Sequence, residues 1–411
     1  MTTRVRSSRG IRQANLAAGL AGIPTGQHRS RAELAQVLGV TRATASAIVG
    51  ELCALGLVEE LEPTGSATAG RPATPVARRA RGAVGIGVEV DLTTLRVCTT
   101  DNAGNTSVAV TDIPAATTRR PGDLARELAK AIKAEQRLWR RRKVPVAGVV
   151  VAVPGLVHER RNDVLLAPTL GWRDIPLAHL LAIDGVGGPS DTTIEPPRVA
   201  NEADVGAHAE RHLGLVPLPD SVLYLSAGNG VGAALVLHGI PFSGAHGFGG
   251  EIGHIVVDPL GAPCGCGRRG CLETVVGASA LRRLARLDRW PGADWPDELL
   301  RRANEGDPAA SAALATSAAH LSTALSIATD LFDPDVVVLG GHLQPLAEFL
   351  APIIEHRLAE RSLAAGWAAY PVRAATLGPD AAALGAAHLA LQPIRDNPSI
   401  LRSFVRPFTP R

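Results

Sequence analysis

The 411 residues carry 42 Lys and Arg against 39 Asp and Glu, and 46% of them are hydrophobic. That length predicts two or three domains with a sizeable packed core. No run of 18 apolar residues occurs, and the Arg-bearing N-terminus has no apolar signal core. The sequence therefore predicts neither a helical membrane span nor a secretory leader, and a cytoplasmic protein.

Charge is unevenly placed. Residues 1–50 hold seven arginines and one acid, Glu33, a net +6 against +3 for the whole chain. A basic end on a slightly acidic body points to a polyanion partner at that end.

Ile11 to Leu20 reads as a first helix. Ser30-Arg-Ala-Glu33 is a capping box opening a second, which Gly39 ends. Thr41 caps a third helix, with Ala45, Ile48, Val49, Leu52 and Leu55 on its inner face. Gly56 stops it, and an extended piece follows. Helix, three-residue turn, helix and ribbon predict a mostly α winged helix-turn-helix over residues 1–62. The expected contacts to a double-stranded DNA operator are Ser30, Arg31, Thr41, Arg42, Thr44 and Ser46, near the start of each helix of the pair. Such binding would associate the protein with the bacterial nucleoid. A helical protein-interaction module with a solvated basic face is the alternative.

Residues 63–81 are rich in Pro, Gly and Thr and read as a linker. Within them Gly70-Arg71-Pro72 resembles an AT-hook core, which would send Arg71 into a minor groove. A plain linker fits equally.

Residues 82–393 alternate strands and helices, an α/β body of two lobes. Strand–turn–strand recurs at 83–100 and 222–238. Asp123 to Arg142 and Pro308 to Leu331 read as helices, the second capped by Asp307. Residues 394–411 carry no interpretable motif and read as a tail.

Three of the five cysteines, Cys264, Cys266 and Cys271, fall within eight residues, and His254 lies ten residues upstream. One His and three Cys suit a closed tetrahedral zinc site, one ion per chain. Free thiols or a redox pair are the alternative.

With GEIGHI…CGCGRRGCLE, VAVPGLV, APTLGW, SAGNGVGAALVLHG and DPDVVVLGGHL, the chain from Ser30 to about Ala387 resembles the ROK family (repressors, open reading frames and sugar kinases). The resemblance implies an actin-like sugar-kinase fold behind the winged helix-turn-helix. The N-terminal module and the GRP linker place it with the family's transcriptional regulators, such as those resembling xylose repressors. It implies zinc at His254, Cys264, Cys266 and Cys271. It implies a sugar or sugar-phosphate effector at Asn201, Glu251, His254 and Glu273. Glu251 and Glu273 as anchors of the zinc loop are the alternative.

The departures from the kinases shape the expected function. Glu202 stands where the kinases carry a catalytic Asp, one methylene longer. Glu89-Val90-Asp91-Leu92-Thr93 replaces a glycine-rich phosphate turn, and Asp91 sets negative charge where a triphosphate should lie. The Gly228–Gly232 turn survives. Thr169 replaces an Asn of the sugar site. The expectation is a homodimeric or homotetrameric regulator, a repressor of carbohydrate genes, with Glu202 a remnant and no kinase activity. An ATP-dependent sugar kinase with an accessory DNA-binding domain is the rival.

Overall fold

The computed structural model describes residues 8–62, 74–158, 160–187, 193–287, 289–290 and 294–403. Arg71 lies outside them.

At the N-terminus, α1 (Ser8–Ala21), β1 (His28–Ser30), α2 (Arg31–Leu38), α3 (Arg42–Ala54), β2 (Val58–Glu60) and β3 (Pro75–Arg78) form one module. The capping box closes as expected: the Glu33 N–H donates to Ser30 Oγ at 3.2 Å, and the Ser30 N–H to Glu33 Oε2 at 2.7 Å. Gly39, at φ 64°, ends α2, and α3 leaves at 109° to it.

The reading of residues 63–81 as linker needs correction. Pro75–Arg78 is the middle strand of a sheet ordered β1-β3-β2, and Val76 is fully buried. Pro75 opens the strand, where a missing N–H does least harm. Arg78 donates from Nε to Ile23 O at 2.7 Å and from Nη2 to Leu20 O at 3.0 Å, pinning the strand to the C-terminus of α1.

The first lobe holds β4 (Val84–Val90), β5 (Thr94–Asp101), β6 (Thr106–Asp112), α4 (Ala115–Thr118), α5 (Pro121–Arg141), β7 (Val146–Val153), β8 (Leu156–His158), β9 (Asp163–Ala167), β10 (Trp172–Ile175), α6 (Leu177–Ile183), β11 (Arg198–Asn201) and α7 (Glu202–Leu213). Its main sheet runs β11-β7-β4-β5-β6; β8, β9 and β10 form a small antiparallel sheet beside it.

The second lobe holds β12 (Val222–Ala227), β13 (Val231–Leu237), β14 (Ile240–Pro241), α8 (Glu273–Val276), α9 (Ala278–Leu284), α10 (Trp295–Asn304), α11 (Pro308–Phe332), β15 (Val336–Gly341), α12 (Leu343–Arg361) and β16 (Val372–Ala374). Its sheet runs β14-β13-β12-β15-β16. Each sheet is an antiparallel three-strand meander extended by two parallel strands. The repeated order makes the body a duplicated, actin-like fold.

The chain closes with α13 (Ala381–Ala390) and α14 (Gln392–Asp396). Six of the ten residues of α13 are Ala, and the helix packs on two sides. A Cβ at Gly87 of β4 would stand 2.3 Å from Ala387 N, and one at Gly385 would stand 1.8 Å from Val205 O of α7. Glycine at both places lets strand, α13 and α7 approach this closely.

Residues 394–403 are not a free tail. Ile394 and Leu401 join a core with Leu16, Leu20, Ile23, Leu34, Ala83 and Ala147. Glu51 of α3 accepts from Arg12 at 2.8 Å and pairs with Arg402. The N-terminal module and the C-terminus therefore share one apolar interior, which exceeds what either could bury alone.

A histidine cluster reinforces this junction. His208 Nε2 lies 2.8 Å from His388 Nδ1, and Arg395 Nη1 lies 3.0 Å from the same nitrogen. His388 therefore accepts, as a neutral ring. Burial, with Arg395 and the other rings beside it, holds its pKa far below the usual range; burial, then His212, takes His208 down to about 3. No single described helix is long and apolar enough to cross a membrane.

Candidate functional site

The loop from Gly250 to Glu273 folds back on itself through bridges Val256↔Cys271 and Pro263↔Arg269. Gly270, at φ 66°, lets it close: a Cβ there would fall 1.4 Å from Asp258 O. The fold brings His254, Cys264, Cys266 and Cys271 together, with one ligand atom of each within 4.8 Å of the others.

His254 Nδ1 lies 3.6 Å from Cys264 Sγ, and the Cys266 and Cys271 sulfurs are 3.7 Å apart. A disulfide would bring two sulfurs to ~2 Å, and all five cysteines are free. A tetrahedral ion with ~2.3 Å bonds to sulfur sets its ligand atoms ~3.8 Å apart. The residues fit such an ion. Burial lowers the His254 pKa, which favours the neutral ring a metal needs. The other ring nitrogen, Nε2, points away from the thiols, 3.9 Å from Glu251 Oε2.

Glu273 touches the same loop from the other side. Its Oε1 lies 3.5 Å from Cys264 Sγ, and its Oε2 accepts from the Val231 N–H at 3.2 Å. The structure thus gives Glu273 the anchoring contacts of the alternative reading. A Cβ on Gly230 would meet Glu273 Oε2 at 2.9 Å and Thr169 Oγ1 at 3.1 Å. Thr169 of the first lobe thereby reaches the glycine turn of the second.

Asn201 caps α7: Oδ1 accepts from the Ala203 and Asp204 N–H groups at 2.7 and 3.3 Å, and Nδ2 donates to Gly155 O at 2.9 Å. One N–H remains for a ligand. Glu202 follows, half-buried. Burial, then Glu89, Asp91, Glu273 and Glu251, holds its carboxyl well above the usual range. Burial, then Glu273, also raises Glu251, against Arg268. Glu89 is pushed up to about 7 by burial, against the attraction of Arg96. These shifts share one cause beyond burial, a cleft crowded with carboxylates.

Asp91 does not face open space. Its Oδ1 accepts from the Leu92 N–H at 2.7 Å and from Asn229 Nδ2 at 2.9 Å. Asp91, at the turn between β4 and β5, is thus bonded across the cleft to the Gly228–Gly232 turn. The sequence reading missed Asn229 as its partner, and the His208–His388–Arg395 junction as a whole.

In the N-terminal module, Thr41, Arg42 and Ser46 are exposed, and Thr44 is half-buried with its hydroxyl 2.9 Å from that of Thr41. Ser30 and Arg31 are engaged elsewhere: Ser30 in its cap, Arg31 in an ion pair with Glu60 of β2.

Comparison with known proteins matches this architecture. Xylose repressors of Caldicellulosiruptor bescii and Bacillus subtilis are 27% and 24% identical over 58% and 89% of the chain, spanning 61% and 92% of their own lengths. The glucokinase of Halalkalibacterium halodurans is 28% identical over 75% of the chain and 94% of its own length. A crystal structure described as a ROK family transcriptional regulator, homolog of the E. coli MLC protein, superposes with a TM-score of 0.75 at 25% identity. It covers 96% of this chain and 98% of its own. The ROK family match runs over residues 85–393, from the first strand of the body into the last helix. A paired-sheet body with its thiol–histidine loop, matched over that span, makes this chain a member of the ROK family.

Proposed function

We propose that the chain is a sequence-specific DNA-binding regulator, a repressor of carbohydrate-metabolism genes, whose cleft binds a sugar effector. One observation carries this. Where a phosphorylating relative needs a free, donor-lined phosphate turn, this chain bonds Asp91 to Asn229 across the cleft at 2.9 Å. It also carries a three-helix, three-strand module whose core is continuous with the body. The similarity to a ROK regulator over 96% of the chain supports the same reading.

In this reading the module is a winged helix-turn-helix. The two helices cross at 109°, within the ~90–120° of such motifs. α3 enters a major groove, with Thr41, Arg42 and Ser46 toward DNA. Arg31 orients the wing through Glu60 rather than reading bases. Arg71 is a candidate minor-groove contact. Two modules of a homodimer or homotetramer dock on half-sites about one helical turn apart.

Zinc is the metal we assign to His254, Cys264, Cys266 and Cys271, because thiolates and imidazole select it. When bound it locks the loop and the imidazole angle. His254 Nε2, Glu251, Glu273 and the remaining Asn201 N–H then meet sugar hydroxyls. α7 starts at Asn201 in this cleft and carries His208 to the junction with α13 and α14. A sugar that draws the lobes together would shift α7 against α13, and with it the module. Sugar and operator are then linked reciprocally, by ~1–3 kcal/mol. The expected compartment is the cytoplasm.

Fluorescence anisotropy on the chain's own promoter DNA, with and without sugars, tests this reading. A specific shift that sugars alter is expected; no specific DNA binding would end it. The kinase reading keeps one specific support, a carboxylate, Glu202, at the start of α7, and a glucokinase among the relatives. Steady ADP release from ATP and a sugar panel would establish it; background release is expected.

A further inference from the structure

We propose that two copies of this chain associate edge to edge through β6, antiparallel, about a two-fold axis at Ala109. The inference rests on the regulator reading only for the second copy itself.

β6 is the outer strand of the first lobe's main sheet, and all seven of its residues are exposed. Val108 and Val110 are 36% and 55% exposed. The strand reads TSVAVTD, with no Lys, Arg, Pro or Gly, and its ladder with β5 runs without a bulge. Charge, Pro, bulges and short length are the devices that keep open strand edges from pairing. The outer strands at the other edges of the two main sheets use them. β11 has four residues and carries Arg198, β14 has two and ends in Pro241, and β16 has three with Arg373 at its centre. A longer, β-branched edge left bare suits the addition of another strand.

The sequence of β6 says which strand. The Asp101 N–H donates to Asn105 O at 3.0 Å, and the Ile113 N–H to Thr93 O at 2.9 Å. These bonds keep register with the β5–β6 pairs from Thr94↔Asp112 to Thr100↔Thr106. Bonded and non-bonded pairs alternate along an antiparallel ladder. Odd-numbered residues of β6 therefore bond to β5, and Thr106, Val108, Val110 and Asp112 turn N–H and C=O to the open edge. A two-fold axis at Ala109 sets Val108 against the partner's Val110, and Thr106 against the partner's Asp112. All are outward-turned positions, so each pair exchanges hydrogen bonds. The Val pairs recur on both sides of the axis and gather four valines on one face. The Thr106 hydroxyl donates to a carboxylate, and the two Asp112 side chains lie at opposite ends. On the other face Ser107 meets the partner's Thr111, and Ala109 meets the partner's Ala109. The strand is complementary to itself, as a contact between identical surfaces requires.

The turn that opens β6 also holds the N-terminal module. A Cβ on Gly104 would stand 2.2 Å from Thr25 Cγ2, and Asn102 Nδ2 donates to Leu57 O at 2.7 Å. Pairing about Ala109 sets Gly104 and the partner's Gly104 ~34 Å apart along the strands, at ~3.4 Å per residue. Half-sites one helical turn apart are separated by ~34–36 Å.

Cysteine cross-linking of the full-length protein tests the face and its register. Ala109 meets the partner's Ala109 in a non-bonded pair, with Cα atoms ~4.5 Å apart, within reach of a disulfide. Ala109→Cys should give a covalent dimer under mild oxidation. Ser107→Cys should not, because its two copies stand ~14 Å apart. The unaltered chain controls for its own cysteines. In sedimentation equilibrium, Val110→Lys, a change on an exposed edge, should raise the dissociation constant of association ~10-fold through the lost Val pairs. Association that Ala109→Cys does not trap and Val110→Lys does not weaken overturns the inference. So does equal trapping by both cysteines, or a chain that stays monomeric. Operator anisotropy decides the regulator reading separately: no operator binding ends that reading, whereas trapping confined to Ala109→Cys upholds this interface.

Discussion

Replacing Glu89 by Gln should stabilise the protein at pH 8 and do little near pH 5. Glu89 is nearly enclosed, with Arg96 Nη1 3.7 Å away and Asp91 and Asp380 adding negative charge. Burial pushes its carboxyl from the ordinary 4.5 to about 7. In the unfolded chain the group ionises near 4.5; in the folded chain it holds its proton to about 7. Between those values the folded state binds more protons, so stability falls as pH rises through the window and stays lowered above it. The gap corresponds to ~3 kcal/mol at ~1.4 kcal/mol per pH unit, already net of Arg96. Gln is isosteric and carries no charge to bury, so it recovers much of that at pH 8. For a chain of 411 residues ~1–3 kcal/mol is roughly 1–4 °C in thermal midpoint. Differential scanning fluorimetry of parent and variant at pH 5 and pH 8 reads the difference. An equal shift at both values, or a lower midpoint at pH 8, would refute the view that this carboxylate is held against its own ionisation.

Cys271→Ser should remove the bound metal, one ion per chain in the parent by elemental analysis, and lower the thermal midpoint, because Cys271 is fully buried and no other described residue replaces its sulfur. Leu401→Ala should cost ~2–3 kcal/mol, the lower part of the range for a buried Leu, because a short terminal segment frays. Hydrogen exchange should show α1 losing protection along with residues 398–403; unchanged protection in α1 would mean the two do not share a core. Ser30→Ala should destabilise the module by ~1 kcal/mol through its lost cap, read by calorimetry. Arg42→Ala should weaken operator binding and reduce its salt slope by ~1, while Arg31→Ala should change that slope far less, since Arg31 is paired with Glu60.

Much of this molecule was written in local sequence. The capping box at Ser30, the Thr41 cap, the Asp307 cap and the apolar strands around Val84 and Val146 are short-range features, each satisfied by residues within a few positions. The four-ligand loop was legible because its glycines and thiols lie within one short segment. What no local pattern could carry was pairing across distance. Pro75–Arg78 looked like linker because Pro and Gly surround it; it becomes a strand only because β1 and β2 stand on either side with unpaired edges. The C-terminal residues showed no motif because their apolar side chains are matched to Leu16 and Leu20, nearly the whole chain away. The Asp91–Asn229 bond and the His208–His388 contact join residues 138 and 180 positions apart. Their meaning, a bond across the cleft and a junction held by neutral rings, depends on which groups face each other, and that is decided by tertiary packing, where desolvation and close approach set both hydrogen bonding and charge.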